Sequence, residues 1–138
     1  MTGLAVVGGE ATTGGPPVRT SGGGRTLRSV LSVGVLGTVQ VILAAPENQP
    51  HRGELAKLLV HRRARRRGVA ESLMRAAEAA ALDAGKTLLV LDTANGAAER
   101  LYVRLGWQRV GVIPGYALGP SGGLVDTTVF YKELAPGS

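Results

Sequence analysis

The sequence predicts an α/β domain with a mixed sheet and helices on its faces. Three observations carry this prediction. An alanine-rich stretch repeats apolar side chains at Val69, Leu73, Ala76/Ala77 and Ala80, the spacing of one helical face. The run Leu88-Leu-Val-Leu91 that follows is continuously apolar, as in a strand buried on both sides. Strand-like and helix-like segments then alternate in the order β-β-β-α-β-α-β-β, which is the pattern of a layered α/β domain.

Each element has its own signal. Residues 1–25 are rich in Gly, Thr and Pro, with Gly8-Gly9, Gly14-Gly15-Pro16-Pro17 and Gly22-Gly23-Gly24. Such a composition buries too little apolar surface to offset chain entropy, so a flexible tail with a short strand at 4–7 is expected. The domain proper is expected over 26–138. Segments 27–32 and 36–44 read as strands around a turn at Val33-Gly34-Val35. Pro46 and Pro50 break the chain over 45–52. Residues 53–61 read as a third strand. The alanine-rich helix is expected over 66–84, ended by Gly85, and the buried strand over 87–93. A short helix over 97–105 is ended by Gly106. A strand over 107–113, a Gly/Pro loop over 114–124 and a last strand over 126–134 complete the chain.

Composition removes several classes of function. The chain has 138 residues, enough for one domain with its own core, and 44% of them are hydrophobic. There is no cysteine, which excludes disulfides, thiol catalysis and Cys-ligated metal. Two histidines, His51 and His61, are too few for a His-rich zinc site, and no metal is expected. No run approaches the length of a membrane span, and the start shows no basic segment leading an apolar one. A cytoplasmic location without a membrane partner is the expectation.

The net charge of +6 allows a polyanionic partner, and the basic residues concentrate in one place. Arg62, Arg63, Arg65, Arg66 and Arg67 precede Gly68-Val69-Ala70 at the start of the alanine-rich helix. A helix N-terminus already carries partial positive charge, so cations there make physical sense with an anion between them. Free backbone N–H groups and a glycine that lets a ligand approach closely describe a phosphate cradle. Neither the P-loop nor the Rossmann glycine pattern is present. A small molecule with several phosphate charges explains so local a cluster more simply than nucleic acid does.

Two motifs in order resemble the GNAT superfamily of N-acetyltransferases. Arg65-x-x-Gly68-x-Ala70 matches motif A, Gln/Arg-x-x-Gly-x-Gly/Ala. One helix and one apolar strand later, Asn95, Ala98, Leu101, Tyr102, Gly106 and Trp107 match motif B, Asn-x-x-Ala-x-x-Leu-Tyr-x-x-x-Gly-Phe/Trp. The resemblance covers residues 26–134. The strings Lys57-Leu-Leu-Val-His61, Leu88-Leu-Val-Leu-Asp-Thr93, Ile113-Pro-Gly-Tyr-Ala-Leu118, Asp126-Thr-Thr128 and Phe130-Tyr-Lys132 are similar to the tabtoxin-resistance branch in particular. GNAT domains normally open with a strand and one or two helices, and no such helices are legible in residues 1–25.

The resemblance implies a GNAT-type acyl-CoA N-acyltransferase fold and acetyl-CoA as cosubstrate. Backbone amides of Arg65, Arg66, Arg67, Gly68, Val69 and Ala70 would hold the pyrophosphate. Those of Leu59, Val60 and His61 would bind the pantetheine and polarise the thioester. Asn95 would contact the pantetheine or cap the helix behind it; Asn suits both. Acetyl transfer needs a neutral amine, a polarised carbonyl and stabilisation of the departing thiolate. The resemblance makes Tyr102 the acid at sulfur, against a residue merely packed beside Leu101 and Leu105. Asp92 ends the most apolar strand, where ligands bind in open α/β sheets; it is a base or a turn starter. Glu54 is the rival base or a strand-edge carboxylate near Arg52. Arg62 and Arg63 meet a further phosphate or only solvent, and Tyr116 and Asp126 flank the Gly-rich loop beside a potential acceptor site. Trp107 and Phe130 read as core.

The expected activity is direct acetyl transfer from acetyl-CoA to a primary amine of a small molecule, such as an amino-acid-like toxin or antibiotic. Two alternatives stay open: a truncated, inactive GNAT domain that binds acyl-CoA, and a nucleic-acid module built on residues 61–67 whose affinity falls steeply with salt. The acceptor and the oligomeric state, a homodimer included, are not legible in the residues.

Overall fold

The computed structural model describes residues 5–6, 18–23, 26–31, 37–43, 47–61 and 68–135. Among the described residues eight strands form one sheet: β1 (Ala5–Val6), β2 (Val18–Gly23), β3 (Thr26–Leu31), β4 (Gly37–Leu43), β5 (Arg52–Val60), β6 (Leu88–Thr93), β7 (Gln108–Leu118) and β8 (Leu124–Glu133). Their spatial order is β1-β2-β3-β4-β5-β6-β8-β7. Every neighbouring pair is antiparallel except β5 and β6. That parallel pair needs a crossover, and α1 (Val69–Asp83) supplies it. The second helix, α2 (Gly96–Arg104), follows β6.

The helix ends follow from their residues. Gly85 has φ 83°; its N–H bonds the Leu82 carbonyl at 2.9 Å and Lys86 N–H bonds that of Ala81 at 2.9 Å. Gly106 repeats this after α2, with Trp107 N–H on the Tyr102 carbonyl at 2.9 Å. Both are Schellman caps, in which a left-handed glycine satisfies carbonyls the helix leaves open. Asn95 caps the start of α2, its Oδ1 accepting from the N–H groups of Ala97 and Ala98.

One face of the sheet is the core. Val39, Val41, Leu55, Leu89, Leu91 and Phe130 are buried there against Val69, Leu73, Met74, Ala76, Ala77, Ala80 and Ala81 of α1. The small alanine side chains bring the helix close. Gly37 is where the approach is tightest, since a Cβ there would lie 2.8 Å from both the Leu59 carbonyl and the Leu73 side chain. An ion-paired group fastens the far end of α1 to the sheet. Glu78 receives Lys132 of β8 at 2.6 Å and the Trp107 indole N–H at 3.4 Å, and the same ammonium bonds the Leu105 carbonyl at 2.7 Å.

Three expectations are corrected. Residues 18–23 form β2, paired with β3 from Val18 opposite Leu31 to Gly23 opposite Thr26, and Ala5–Val6 pairs in turn with β2. Strand pairing is made by the backbone, so glycine-rich segments join a sheet without burying side chains. The expected loop over 114–124 is shorter, because β7 continues to Leu118 and β8 begins at Leu124. Pro114 is accommodated there because β7 is an edge strand and its register shifts between Ile113 and Ala117. Helix α1 begins at Val69, and residues 62–67, which include Arg65, Arg66 and Arg67, lie outside the described residues. Among the described residues no helix precedes α1, and no helix is long and apolar enough to cross a membrane.

Candidate active site

The parallel pair builds the site by coming apart. Pairing joins Arg52–Glu54 of β5 only to Leu88–Val90 of β6, yet β5 runs on to Val60 and β6 to Thr93. Between the parted ends lies a cavity of about 370 Å³. Leu55, Ala56 and Leu58 line it from β5, and Leu91, Asp92 and Thr93 from β6. Asn95, Ala98 and Tyr102 enter from α2 and its cap, and Tyr116, Asp126 and Thr127 from the β7–β8 hairpin. Carboxyl ends of parallel strands are where α/β sheets bind ligands.

Tyr102 is 5% exposed, held against Trp107 with ring centroids 6.0 Å apart and edge-on to Phe130 at 5.7 Å. Among the described residues its hydroxyl has no hydrogen-bond partner, although it opens on the cavity. Burial, and secondarily the charge of Asp92, push the phenol up to about 12. It therefore holds its proton at every physiological pH and acts as a donor. The shift has a thermodynamic consequence. The unfolded chain ionises this tyrosine near 10, below the folded state, so the stabilisation is complete below pH 10 and is lost as pH rises toward 12. Denaturation midpoints measured from pH 9 to 12 should fall more steeply for the natural chain than for Tyr102→Phe; parallel curves would contradict the assignment.

Asp92 is turned outward from the core. Leu89 and Leu91 face α1, and the alternation of β6 sends Val90 and Asp92 to the opposite face. Thr127, itself buried, donates its hydroxyl to Asp92 Oδ2 at 2.8 Å, which fixes the carboxylate and leaves Oδ1 outside that bond. Glu54 stands on the same face, since its Cα partner is Val90. It lines a second cavity of about 200 Å³ with Leu55, Ala56, Val90, Leu91, Asp92, Tyr116 and Val129. The structure thus brings Asp92 and Tyr102 together and sets Glu54 in an adjoining lobe, paired with Arg52 at 3.3 Å.

At the head of α1, Gly68 has φ 71° and ψ 10°, and no side chain caps the helix. A Cβ on Gly68 would meet nothing within 4 Å among the described residues. The first-turn N–H groups of Val69, Ala70 and Glu71 have no partner within the helix, so the turn can receive an anion, and acetyl-CoA's phosphates fit its chemistry. Leu59 and Val60 at the end of β5, and His61 just after it, are not among the lining residues of either cavity, and the first takes Leu58 instead. Asn95 does both things expected of it, capping α2 and lining the cavity. Thr127 was invisible in the sequence, because its partner lies 35 residues away. No group of His, Cys, Asp and Glu among the described residues could hold a metal.

The chain is similar to known acetyltransferases in sequence family and fold. The family model described as "Acetyltransferase (GNAT) family" matches residues 30–107. An acetyltransferase of the GNAT family from Streptococcus pneumoniae is 22% identical with a TM-score of 0.71, over 79% of this chain and 67% of that one. The yncA protein of Salmonella typhimurium, solved with its cofactor acetyl-CoA, is 19% identical with a TM-score of 0.70, over 88% and 67%. A GCN5-related N-acetyltransferase from Kribbella flavida is 26% identical with a TM-score of 0.65, over 89% and 71%.

Proposed function

The chain belongs to the GNAT family of acetyltransferases, and from that premise we propose that it moves the acetyl group of acetyl-CoA to a primary amine of a small molecule by direct attack. The observation that carries this reading is the hydroxyl of the buried Tyr102 ring, accessible and without a partner among the described residues, in the same cavity as Asp92 where β5 and β6 part.

Acetyl-CoA supplies the acyl group as a thioester. Gly68 and the first turn of α1 would receive its pyrophosphate, with Arg65, Arg66 and Arg67 adding charge. The cavity between β5 and β6 would take the pantetheine, with Asn95 at its edge. Asp92 Oδ1 accepts the proton of the attacking amine, and Thr127 keeps that carboxylate aimed. The Tyr102 hydroxyl donates a hydrogen bond to sulfur as negative charge grows there. A phenol near 12 is a weaker acid than a simple thiol near 8.5, so donation without full transfer is its starting role. Once Asp92 is protonated, its charge no longer raises the phenol, and Tyr102 becomes a better donor at the moment the thiolate departs. Glu54, in the adjoining lobe, is better placed to bind the acceptor than to act as the base.

The finer likeness to the tabtoxin-resistance branch is supported by the strings around Asp92, Tyr116 and Asp126, and it belongs to the same proposal. The test is a thermal shift with acetyl-CoA. At 100 times its dissociation constant a ligand adds about 2.7 kcal/mol, so the melting temperature should rise, and free thiol should appear when an amine acceptor is added. No shift at millimolar acetyl-CoA would overturn the reading. A shift without turnover on any amine would mark an acyl-CoA-binding domain that lacks the transfer step.

A further inference from the structure

The two cavities adjoin. They share Leu55, Ala56, Leu91, Asp92 and Tyr116, so the second offers a path onward from the first. The ends of this path are charged alike. Asp92 stands where the two lobes meet, beside Tyr102, and Glu54 lines the far lobe. Between them the wall on that face is the aliphatic side chains of Val90 and Val129, with Tyr116 along one side. Glu54 is opposite Val90, and Asp92 is two residues further along β6. Strand spacing and rise then put the two backbone positions about 8 Å apart on one face.

The charges in this path oppose those of the whole molecule. The chain carries +6, yet among the described residues the ionisable side chains lining the two cavities are Glu54, Asp92, Asp126, Tyr102 and Tyr116, with no Lys, Arg or His. All three carboxylates are partly engaged, Asp92 by the Thr127 hydroxyl. Arg52 meets Glu54 at Oε1 without lining either lobe, which leaves Oε2 for a ligand. Asp126 accepts the Gly115 N–H at 2.9 Å and so holds the β7 bulge that carries Tyr116. The Tyr102 ring is buried, yet its hydroxyl is accessible from this path and has no hydrogen-bond partner among the described residues, so it is free to meet a ligand there.

We infer that the acceptor is an aliphatic diamine or polyamine, whose reacting nitrogen lies at Asp92 and Tyr102 while a second ammonium is held by Glu54. The methylenes between the nitrogens lie along the aliphatic walls, and the ring of Tyr116 offers a face to the chain or the cation. An acceptor with a free carboxylate would set like charge against Glu54 and Asp92, which disfavours it. This inference rests on the acetyl-transfer reading and departs from the amino-acid-like acceptor that the resemblance implied.

The experiment compares butylamine, 1,4-diaminobutane and 4-aminobutyrate as acceptors, with acetyl-CoA and the full chain, by free-thiol release. The expected order of kcat/KM is diamine, then monoamine, then amino acid, with about tenfold at each step. Glu54→Gln should collapse the diamine-to-monoamine ratio toward one, and Glu54→Lys should raise the amino acid relative to the diamine. Circular dichroism and melting temperature check that both variants fold. A monoamine as good as the diamine, a preferred amino acid, or an unchanged ratio in Glu54→Gln would overturn the inference. If acetyl-CoA binds but none of the three acceptors reacts, the acceptor class is wrong while the cofactor reading stands. If acetyl-CoA itself does not bind, both fall together.

Discussion

Tyr102→Phe is expected to keep acetyl-CoA affinity and to lower turnover by about 10²–10³, the loss that follows removal of one preorganised donor at a site of developing charge. The ring survives in Phe, and so do its contacts with Trp107 and Phe130. The hydroxyl it removes has no partner among the described residues, so no buried group loses a bond and the fold should not weaken at neutral pH. Loss of rate without loss of stability or cofactor affinity therefore isolates the donor. Asp92→Asn provides the contrasting arm. It keeps the shape of the side chain but cannot take a proton, so turnover should recover as pH rises and more amine is neutral. Because Asp92 also raises the Tyr102 phenol, the two changes should not add: the double variant should be less impaired than the product of the singles, as for residues that act as a unit. Full turnover in Tyr102→Phe would make it a packing residue. A pH profile unaltered in Asp92→Asn but altered in Glu54→Gln would move the base to Glu54.

The parts of this site that were legible in the sequence are those set by local rules. Glycine at positions 85 and 106 marked both helix ends because the Schellman cap needs a left-handed residue there. Asn95 announced the start of α2 in the same way. Apolar periodicity located α1 and β6, and so placed Asp92 at the mouth of a buried strand. What stayed hidden depends on pairing between distant segments. The separation of β5 from β6 beyond Glu54 is a property of two strands and a crossover, with no residue that declares it. Thr127 reads as an ordinary strand threonine until β8 is laid beside β6. The Glu78–Lys132 pair spans the domain in the same manner. Val18–Gly23 misled for the converse reason, since a composition that resembles a loose tail still offers backbone groups to β3. The division of Glu54 from Tyr102 into separate lobes required the register of both strands.

Gly68→Asp is expected to remove acetyl-CoA binding while leaving the domain folded, and the two effects have separate causes. Gly68 adopts φ 71° at the head of α1, a conformation that aspartate tolerates better than most residues, at a cost of about 1 kcal/mol. A Cβ at this position has open space around it among the described residues. A carboxylate beside the first turn also suits the helix dipole, so the melting temperature should change little. The ligand meets the opposite outcome. The N–H groups of Val69, Ala70 and Glu71 that would bond phosphate oxygens face a fixed negative charge. A unit charge about 4 Å from a phosphate costs about 4 kcal/mol at an effective dielectric near 20, so affinity should fall by about 10²–10³ or more. Gly68→Asn separates the causes, because it tolerates the left-handed conformation as aspartate does, without the charge, and should lose far less affinity. Calorimetric titration with acetyl-CoA reads all three chains. Equal affinity in Gly68→Asp and the natural chain would place the pyrophosphate away from α1, and the basic turn before it would then need another ligand.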